Sequence, residues 1–200
     1  MKKKFLNFSI NLIQKYGTYT DEQLEIIEYG LEGLYLTITK LLVLFCLSFL
    51  LGIVKEFLLI LIFYNIIRTQ AFGIHASKSI YCLVSSILLF IGGALLCKYI
   101  SLSFEISFFI AITCDICLLL YAPADTYKHP LINKKKRKRW KFLSFSLGII
   151  YTILIIAYKN SFIVNYLVIG MIEAVFMILP ITYKIFHLPY NNYKSYNGVC

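Results

Sequence analysis

The sequence predicts an all-α polytopic membrane protein with about six transmembrane helices, N-terminal amphipathic helices and both termini in the cytoplasm. Of its 200 residues, 60% are hydrophobic and only 15% are charged, whereas soluble domains are typically about 25% charged. The mean hydropathy is +0.76, and the apolar residues form stretches close to the roughly 20 residues that a spanning helix needs. The 20 Lys and Arg residues outnumber the 10 Asp and Glu residues and gather between these stretches, as in cytoplasmic loops.

Residues 1–32 are predicted to form cytoplasmic or interfacial amphipathic helices. The apolar segment after the N-terminal lysines is interrupted by asparagine and serine, and no small-residue cleavage site follows, which argues against a signal peptide. A second helix is expected at Thr20, because Thr20 and Gln23 have the spacing of a capping box. Leucine and isoleucine then recur at helical spacing opposite glutamates, as in a surface helix.

Residues 33–183 are predicted to be the membrane domain. Its six candidate spans are 33–54, 57–73, 80–97, 102–122, 142–158 and 162–183. Lys40 interrupts the first span and Arg68 shortens the second, so a re-entrant arrangement is an alternative there. The cysteines inside these stretches are interpreted as reduced packing residues.

The basic residues assign a side to each loop under the positive-inside rule. With six spans, most of them fall on the side that holds the N-terminus, the segment 68–82, the basic loop 128–141 and the polar tail 184–200. The opposite side carries only Lys55, Lys98 and Lys159. Both termini and segment 68–82 are therefore predicted to face the cytoplasm. These loops and anionic lipid explain the net charge of +10 without nucleic acid.

Segment 68–82 holds the residues that suggest chemistry. His75 is one of three histidines, and Cys82 follows it by seven residues. A cysteine nucleophile needs a base or a cation beside it, and histidine is the usual one, so the pair indicates acyl transfer through a cysteine. On one unbroken helix the two would lie about 10.5 Å apart along the axis, beyond hydrogen-bond reach. We therefore predict a break between His75 and Ser79, with Gly73 permitting the turn and Cys82 in the first turns of the next helix.

Non-catalytic roles for this histidine and cysteine stay open at this point. His75 can be an interfacial loop residue and Cys82 a small apolar filler. A zinc site is not favoured, because no second ligand pair lies at suitable spacing on the same side. The CDIC sequence that begins at Cys114 has redox spacing but lies inside a span. Neither a metal nor another cofactor is predicted.

Three ordered motifs resemble the AgrB family. The first is arginine, glycine, His-Ala and a cysteine seven residues after the histidine, found here as Arg68, Gly73, His75-Ala76 and Cys82. The second is Tyr121-Ala122-Pro123, followed by Pro130 and a basic run. The third is Gly170-x-x-Glu173-Ala174, followed by Leu179-Pro180. The resemblance covers nearly the whole chain, with a departure at Phe72, where many members carry a second glycine.

The resemblance implies a membrane cysteine endopeptidase of Gram-positive quorum sensing. In such a protein Cys82 is the nucleophile and His75 the general base. The enzyme cleaves the C-terminal part of an AgrD-like signal peptide precursor with an acidic tail, forms an acyl-enzyme thioester and supports ring closure to a thiolactone or lactone. The resemblance further implies the bacterial cytoplasmic membrane, an active site at its cytoplasmic side, and a homodimer.

Three further residues are predicted to support this site. Gly73 shapes the turn, and Arg68 binds the acidic peptide or an oxyanion, unless it is a membrane-boundary anchor. Glu173 is a candidate third catalytic residue, because a carboxylate inside a span is costly and usually functional. Its alternative role is a structural partner for Lys40 or Arg68.

The basic run is predicted to bind either lipid or substrate, or both. It consists of Lys134, Lys135, Lys136, Arg137, Lys138 and Arg139. In the first role it orients the spans and contacts anionic lipid, at about 1 kcal/mol per basic residue near the surface. In the second it docks the precursor's acidic tail, since a basic surface gathers an acidic substrate.

Two rival functions are also consistent with the sequence. A small membrane transporter or channel with no peptidase activity would explain the spans and the embedded carboxylates, and it predicts that Cys82→Ser leaves activity largely intact. A non-enzymatic membrane scaffold predicts that both His75 and Cys82 are dispensable.

Overall fold

Helices form the regular secondary structure of the part of the chain that the computed structural model describes, residues 2–17, 19–74, 79–126, 130–159 and 161–196. Within those ranges no strand occurs, and an isolated parallel bridge joins Phe72 to Ala124. The predicted all-α fold class is therefore confirmed. The chain divides into two compact units, Met1–Leu47 and Ser48–Cys200.

The first unit contains helix α1 (Lys2–Tyr16) and most of helix α2 (Asp21–Leu50). The predicted capping box is present: the Thr20 N–H donates to Gln23 Oε1 (3.0 Å), and the Gln23 N–H donates to Thr20 Oγ1 (3.3 Å). These bonds satisfy two donors that a helix start leaves without partners. The predicted surface helix and first span are thus parts of one continuous helix of 30 residues.

The second unit contains the remaining helices. They are α3 (Val54–Ala71), α4 (Ser79–Ser86), α5 (Gly92–Tyr99), α6 (Phe104–Tyr121), α7 (Lys134–Ala157), α8 (Ile163–Phe176) and α9 (Pro180–Ile185). A π-helical segment, Ile87–Ile91, joins α4 to α5 without a break, and a 3-10 helix, Asn192–Tyr196, follows α9.

Four described helices are long and apolar enough to cross a membrane. They are Asp21–Leu50, Ile80–Tyr99, Phe104–Tyr121 and Lys134–Ala157. The prediction of a multi-pass membrane protein is therefore confirmed. Helix α3 has 18 residues but includes Lys55, Glu56 and Arg68, and α8 has only 14 residues. The count of six spans and the cytoplasmic side of both termini stay predictions.

The last predicted span, 162–183, is interrupted. Helix α8 ends at Phe176, and Pro180 opens α9. Because proline has no N–H, it cannot donate to the Phe176 carbonyl and starts a new helix instead. The Thr182 hydroxyl donates to that carbonyl. The Met177 carbonyl lies at this break and accepts a hydrogen bond from the Ile74 N–H (3.1 Å), far away in the sequence.

Helix α3 is central in the second unit, where it packs against α5, α7 and α8. Gly170 of α8 allows this helix to pack closely against α3, since a Cβ there would lie 3.0 Å from Phe63 Cβ and 3.2 Å from the Tyr64 nitrogen. Small residues permit such close approach between membrane helices. The Tyr151 hydroxyl of α7 donates to the Phe63 carbonyl (3.0 Å). These contacts hold α3, which carries Tyr64 and Arg68, between its neighbours.

Candidate functional site

Three segments meet where α3 ends, and they are the segments that carry the three sequence motifs. The Gly73 N–H donates to the Ala124 carbonyl (2.8 Å), and the Ala124 N–H donates to the Ala71 carbonyl (2.9 Å). These bonds join the end of α3 to the segment after α6. The Ile74 N–H donates to the Met177 carbonyl (3.1 Å), which adds the break after α8. We call this backbone arrangement, residues 71–74 with Ala124 and Met177, the junction.

Gly73 allows the junction to form. Its φ is +108°, and that of Phe72 is +59°; glycine adopts positive φ without steric cost. A Cβ on Gly73 would lie 2.5 Å from the Met177 carbonyl oxygen and would also meet the Arg68 guanidinium. Gly73 thus bends the chain at the end of α3, while the break predicted between His75 and Ser79 lies outside the described residues. Phe72, the departure from the family pattern, packs its ring edge-on against Trp140, with 5.3 Å between centroids.

Arg68 binds the backbone of the junction. Its Nη1 donates to the Phe72 carbonyl and its Nη2 to the Ile74 carbonyl, which uses the forked geometry of the guanidinium. Both terminal nitrogens of Arg68 are therefore used on the backbone of its own segment. The structure thus gives Arg68 a positioning role in the chain that leads to His75.

Cys82 lies in the first turn of α4. Helix α3 ends at Ala71 and α4 is described from Ser79; the predicted break between His75 and Ser79 falls outside the described residues and stays a prediction. The Cys82 side chain is half-buried. His75, the predicted base, lies outside the described residues, so its geometry with Cys82 stays a prediction.

Tyr64 belongs to this site but was not among the predicted residues. Its side chain is only 8% exposed, and its ring packs edge-on against Phe90 at a centroid distance of 5.0 Å. Tyr64 lies within electrostatic range of Arg68, Glu173 and Cys82. It therefore links three of the predicted site residues. Tyr64 precedes Arg68 by four residues, which places both side chains on one face of α3. This spacing was the sequence pattern that could have assigned Tyr64 to the site.

Glu173 is buried in α8, with 5% of its surface exposed. Its carboxyl extends toward α5, where Oε1 lies so close to Gly93 that a Cβ there would require the carboxyl to move. Among the described residues, Oε2 has no hydrogen-bond partner. A buried carboxyl oxygen without a donor is energetically costly. Packing between helices therefore does not account for Glu173, and it remains a candidate functional residue.

The predicted basic run is helical rather than a loop. Asn133 caps α7, with its Oδ1 accepting hydrogen bonds from the N–H groups of Lys135 (2.9 Å) and Lys136 (3.1 Å). The capped helix begins at Lys134, so the basic residues occupy its first two turns. Residues 128 and 129 of the predicted loop 128–141 lie outside the described part of the chain.

One face of this run lines a pocket of about 260 Å³. Its basic residues are Lys134, Arg137, Lys138 and Lys141, whereas Lys135, Lys136 and Arg139 do not line it. The spacing of three or four residues is that of one helix face. Arg137 stacks over the Tyr193 ring, 3.4 Å from its centroid. Burial raises the pKa of the nearby Tyr190 hydroxyl. The pocket, called here the basic pocket, can therefore hold an anionic group.

Asp125 ties the C-terminal segment to the basic pocket and was also not predicted. Its carboxylate accepts hydrogen bonds from the N–H groups of Asn192 (3.0 Å) and Tyr193 (2.7 Å). The Tyr183 hydroxyl donates to the Asp125 carbonyl (2.8 Å). Through these bonds the polar tail forms one wall of the pocket. A rare acidic residue two positions after the Tyr-Ala-Pro motif was the sequence signal for it.

Comparison with known proteins gives relatives over most of the chain. Residues 7–178 match the family described as accessory gene regulator B. The chain is 33% identical over 170 residues to an AgrB-like protein of Clostridium acetobutylicum, covering 85% of this chain and 81% of that one. It is 31% identical over 188 residues to accessory gene regulator protein B of Staphylococcus aureus (strain Newman), covering 88% and 96%. An AgrB-like protein of Listeria innocua is 25% identical over 170 residues, covering 85% and 83%.

No solved structure matches the chain. The family match nevertheless includes all three motif segments, from Arg68 to Glu173, and the similarity to the S. aureus protein extends over nearly its full length. The helices long enough to span a membrane agree with this assignment. The chain therefore belongs to the accessory gene regulator B family of membrane proteins and takes part in the agr quorum-sensing system.

Proposed function

We propose that this chain is a cysteine endopeptidase that removes the acidic C-terminal part of a signal peptide precursor and closes the remaining peptide into a thiolactone or lactone. The position of Cys82 supports this most. It lies in the first turn of α4, on the helix that follows the segment of the junction and His75 in the sequence. Cys82 also lies within electrostatic range of Tyr64. Arg68 and Glu173 lie within electrostatic range of the same tyrosine. Membership of the family is consistent with a processing role.

The reaction begins when His75 takes the proton of the Cys82 thiol. The thiolate attacks the carbonyl carbon of the scissile peptide bond, a C–S bond forms, and the carbonyl electron pair moves onto oxygen. When that pair returns, the C–N bond breaks and the proton on His75 passes to the amine of the leaving acidic tail. The acyl group stays on Cys82 as a thioester.

A thiol or hydroxyl group within the bound peptide then attacks this thioester. Its proton passes through His75 to the Cys82 sulfur as the first C–S bond breaks, so the ring closes and the enzyme is restored. Exchange of one thioester for another needs little driving force, and water is the competing nucleophile. The buried walls of the junction, with Ile74 at 4% and Ala124 at 3% exposure, support exclusion of water.

Tyr64 is the described residue best suited to stabilise the oxyanion. The terminal nitrogens of Arg68 already donate to two backbone carbonyls. The Tyr64 hydroxyl is a hydrogen-bond donor held by a buried ring near Cys82. A donor fixed before the reaction stabilises developing negative charge without reorganisation.

The basic pocket is the proposed docking site of the acidic tail. Its cations from the first turns of α7 complement carboxylates. Trp140, one residue beyond the basic run, contacts Phe72 of the junction. A tail bound in the pocket would therefore leave the scissile bond close to the junction and to the helix that carries Cys82.

The test is processing of a synthetic precursor by the purified chain in lipid nanodiscs, followed by mass spectrometry. We expect the wild type to yield the cut tail and a cyclic product, while Cys82→Ala and His75→Ala yield neither. Cys97→Ala is the matched control, because Cys97 is a buried thiol farther along the same helical stretch; it should process at the wild-type rate. Processing that survives Cys82→Ala would contradict the proposal and favour the transporter or scaffold.

A further inference from the structure

An apolar groove of about 600 Å³ lies between the continuous helix formed by α4 and α5 and helix α8. Leu88, Gly92, Leu96 and Tyr99 line one side, and Ile172 and Glu173 line the other. From Leu88 to Tyr99 the groove extends about 16 Å, at 1.5 Å per helical residue. It is long enough for a short peptide segment.

The buried carboxyl of Glu173 indicates which class of ligand suits the groove. Its carboxyl is buried between α8 and α5, and Oε2 accepts no hydrogen bond from the described residues. A lipid acyl chain would match the apolar walls but has no donor for this oxygen, which would then remain unsatisfied in hydrocarbon. A peptide segment brings apolar side chains together with N–H or O–H donors.

The groove also leads to the proposed nucleophile. Cys82 precedes Leu88 by six residues on the same continuous helical stretch, which is about 9 Å along the axis. About three residues of extended peptide cover that distance. Glu173 in the groove and Cys82 in the site both act electrostatically on Tyr64. The proposed nucleophile and one side of the groove therefore belong to the same continuous helical stretch, 79–99.

We propose that this groove binds an apolar segment of the precursor N-terminal to the cleaved bond, with one N–H or O–H group of that segment donating to Glu173. The inference rests on the proposed function, which supplies the precursor as substrate. The substrate is then an amphipathic peptide held on both sides of the cleaved bond. Its apolar part lies along α5 and α8, and its acidic part lies in the basic pocket.

Filling the groove tests the proposal by kinetics. A Cβ on Gly92 would have no heavy atom within 4 Å, and Gly92 has helical backbone angles, so Gly92→Leu starts a side chain in open space on the wall of the groove. We expect KM for the precursor to rise roughly tenfold or more, with kcat changed by less than about twofold. Gly33→Leu is the matched control, because Gly33 is a helical glycine of α2 with equally open surroundings; it should keep the wild-type KM.

Photo-crosslinking tests binding without turnover. In the Cys82→Ala variant, p-benzoylphenylalanine at Leu96, a groove residue that is 48% exposed, should crosslink to the precursor. The same probe at Ile116, which is 52% exposed on α6, should not. Crosslinks at Leu96 to lipid alone, or an unchanged KM in Gly92→Leu, would overturn the groove proposal. If the wild type leaves the precursor uncut, the proposed function fails instead, so the two failures are distinguishable.

Discussion

Arg68 and Gly73 act on the backbone of the junction. Arg68 donates to the carbonyls on both sides of Gly73, and Gly73 supplies the positive φ that brings those carbonyls to it. The sequence predicted peptide or oxyanion binding for Arg68, because an arginine beside a catalytic motif is usually interpreted so. Its hydrogen bonds give it a positioning role as well, while its binding of peptide or an oxyanion stays a prediction, and Tyr64 is the donor that we propose for the oxyanion.

Tyr64→Phe removes this donor and keeps the ring that packs against Phe90. We expect acyl-enzyme formation to slow about 10²-fold with little change in KM, because an oxyanion donor acts mainly on the transition state. Rapid-quench mass spectrometry of the acyl-enzyme measures this rate. Tyr166→Phe is the control, since Tyr166 is also buried and packs edge-on against Phe162 at 6.0 Å. Wild-type acylation in Tyr64→Phe would exclude the oxyanion role.

Gly73→Ala should destabilise the second unit and abolish most processing. The new Cβ would be strained by φ of +108° and would meet Arg68 and the Met177 carbonyl, at a cost of at least about 1–3 kcal/mol. Thermal unfolding in detergent, followed by tryptophan fluorescence, should give a lower Tm. Gly33→Ala, at an open helical position, should leave Tm unchanged or slightly higher. Equal Tm values for both variants would show that the junction is not required for stability.

Helix starts and helix breaks position the groups of the site at the scale of elements. The break at Pro180 separates α8 from α9 and presents the Met177 carbonyl to Ile74. The start of α4 at Ser79 puts Cys82 in a first turn. The first of these was not predicted, because the span 162–183 was assigned from hydropathy, which does not register the missing N–H of Pro180.

The basic run was predicted as a loop but is helical in the structure. Consecutive lysines and arginines have no apolar periodicity, so the run was predicted as a loop, although Asn133 and the following residues form a capped helix. Once the run is helical, its charges divide into two faces. That division makes a sharper experiment possible than neutralising the whole run.

Two triple variants with identical charge changes compare the faces. Lys134, Arg137 and Lys138 line the basic pocket, while Lys135, Lys136 and Arg139 do not. Replacing the first three with glutamine should raise KM for the precursor roughly tenfold with a smaller effect on kcat, because each buried or partly desolvated charge pair contributes more than an exposed one. The second triple should change KM by less than about threefold. Steady-state kinetics measures KM in both triple variants after their membrane topology has been verified. Equal KM values for the two variants would contradict binding of the acidic tail in the basic pocket.

At the scale of the whole molecule, the candidate site draws on distant parts of the second unit. Residues from α3, α4, the segment after α6 and the break after α8 contribute to it. The sequence predicted the helical class and named three motifs whose segments meet in the structure, because composition, spacing and resemblance indicate these features. It did not predict how the segments are joined, because hydrogen bonds between backbone groups leave no side-chain pattern. Tyr64 and Asp125 were missed because each lies near a motif without being part of it.

Asp125→Ala should release the C-terminal segment from the second unit. The buried carboxylate accepts two backbone hydrogen bonds from residues 192 and 193, and loss of charged bonds of this kind costs about 1.5–3 kcal/mol each. We expect faster proteolytic cleavage after residue 186. Binding of the precursor's acidic tail should also weaken, because Tyr190 and Tyr193 line the basic pocket. Limited proteolysis with mass spectrometry measures the first effect. Glu105→Ala, an exposed carboxylate of α6, is the control; equal cleavage rates would show that Asp125 does not anchor the segment.

The basic pocket lies on exposed turns of α7, which makes the reaction sensitive to ionic strength. Screening lengths fall from about 8 Å at 0.15 M salt to about 3 Å at 1 M, so salt weakens capture of the precursor. The cut tail, however, carries the amine that can attack the thioester and rebuild the precursor. Salt therefore also hastens departure of that tail and suppresses the reverse reaction. The fraction of acyl-enzyme that is converted to the cyclic product should therefore rise with salt, even as the overall rate falls. Tighter binding of the acidic tail favours capture of the precursor but also favours the reverse reaction.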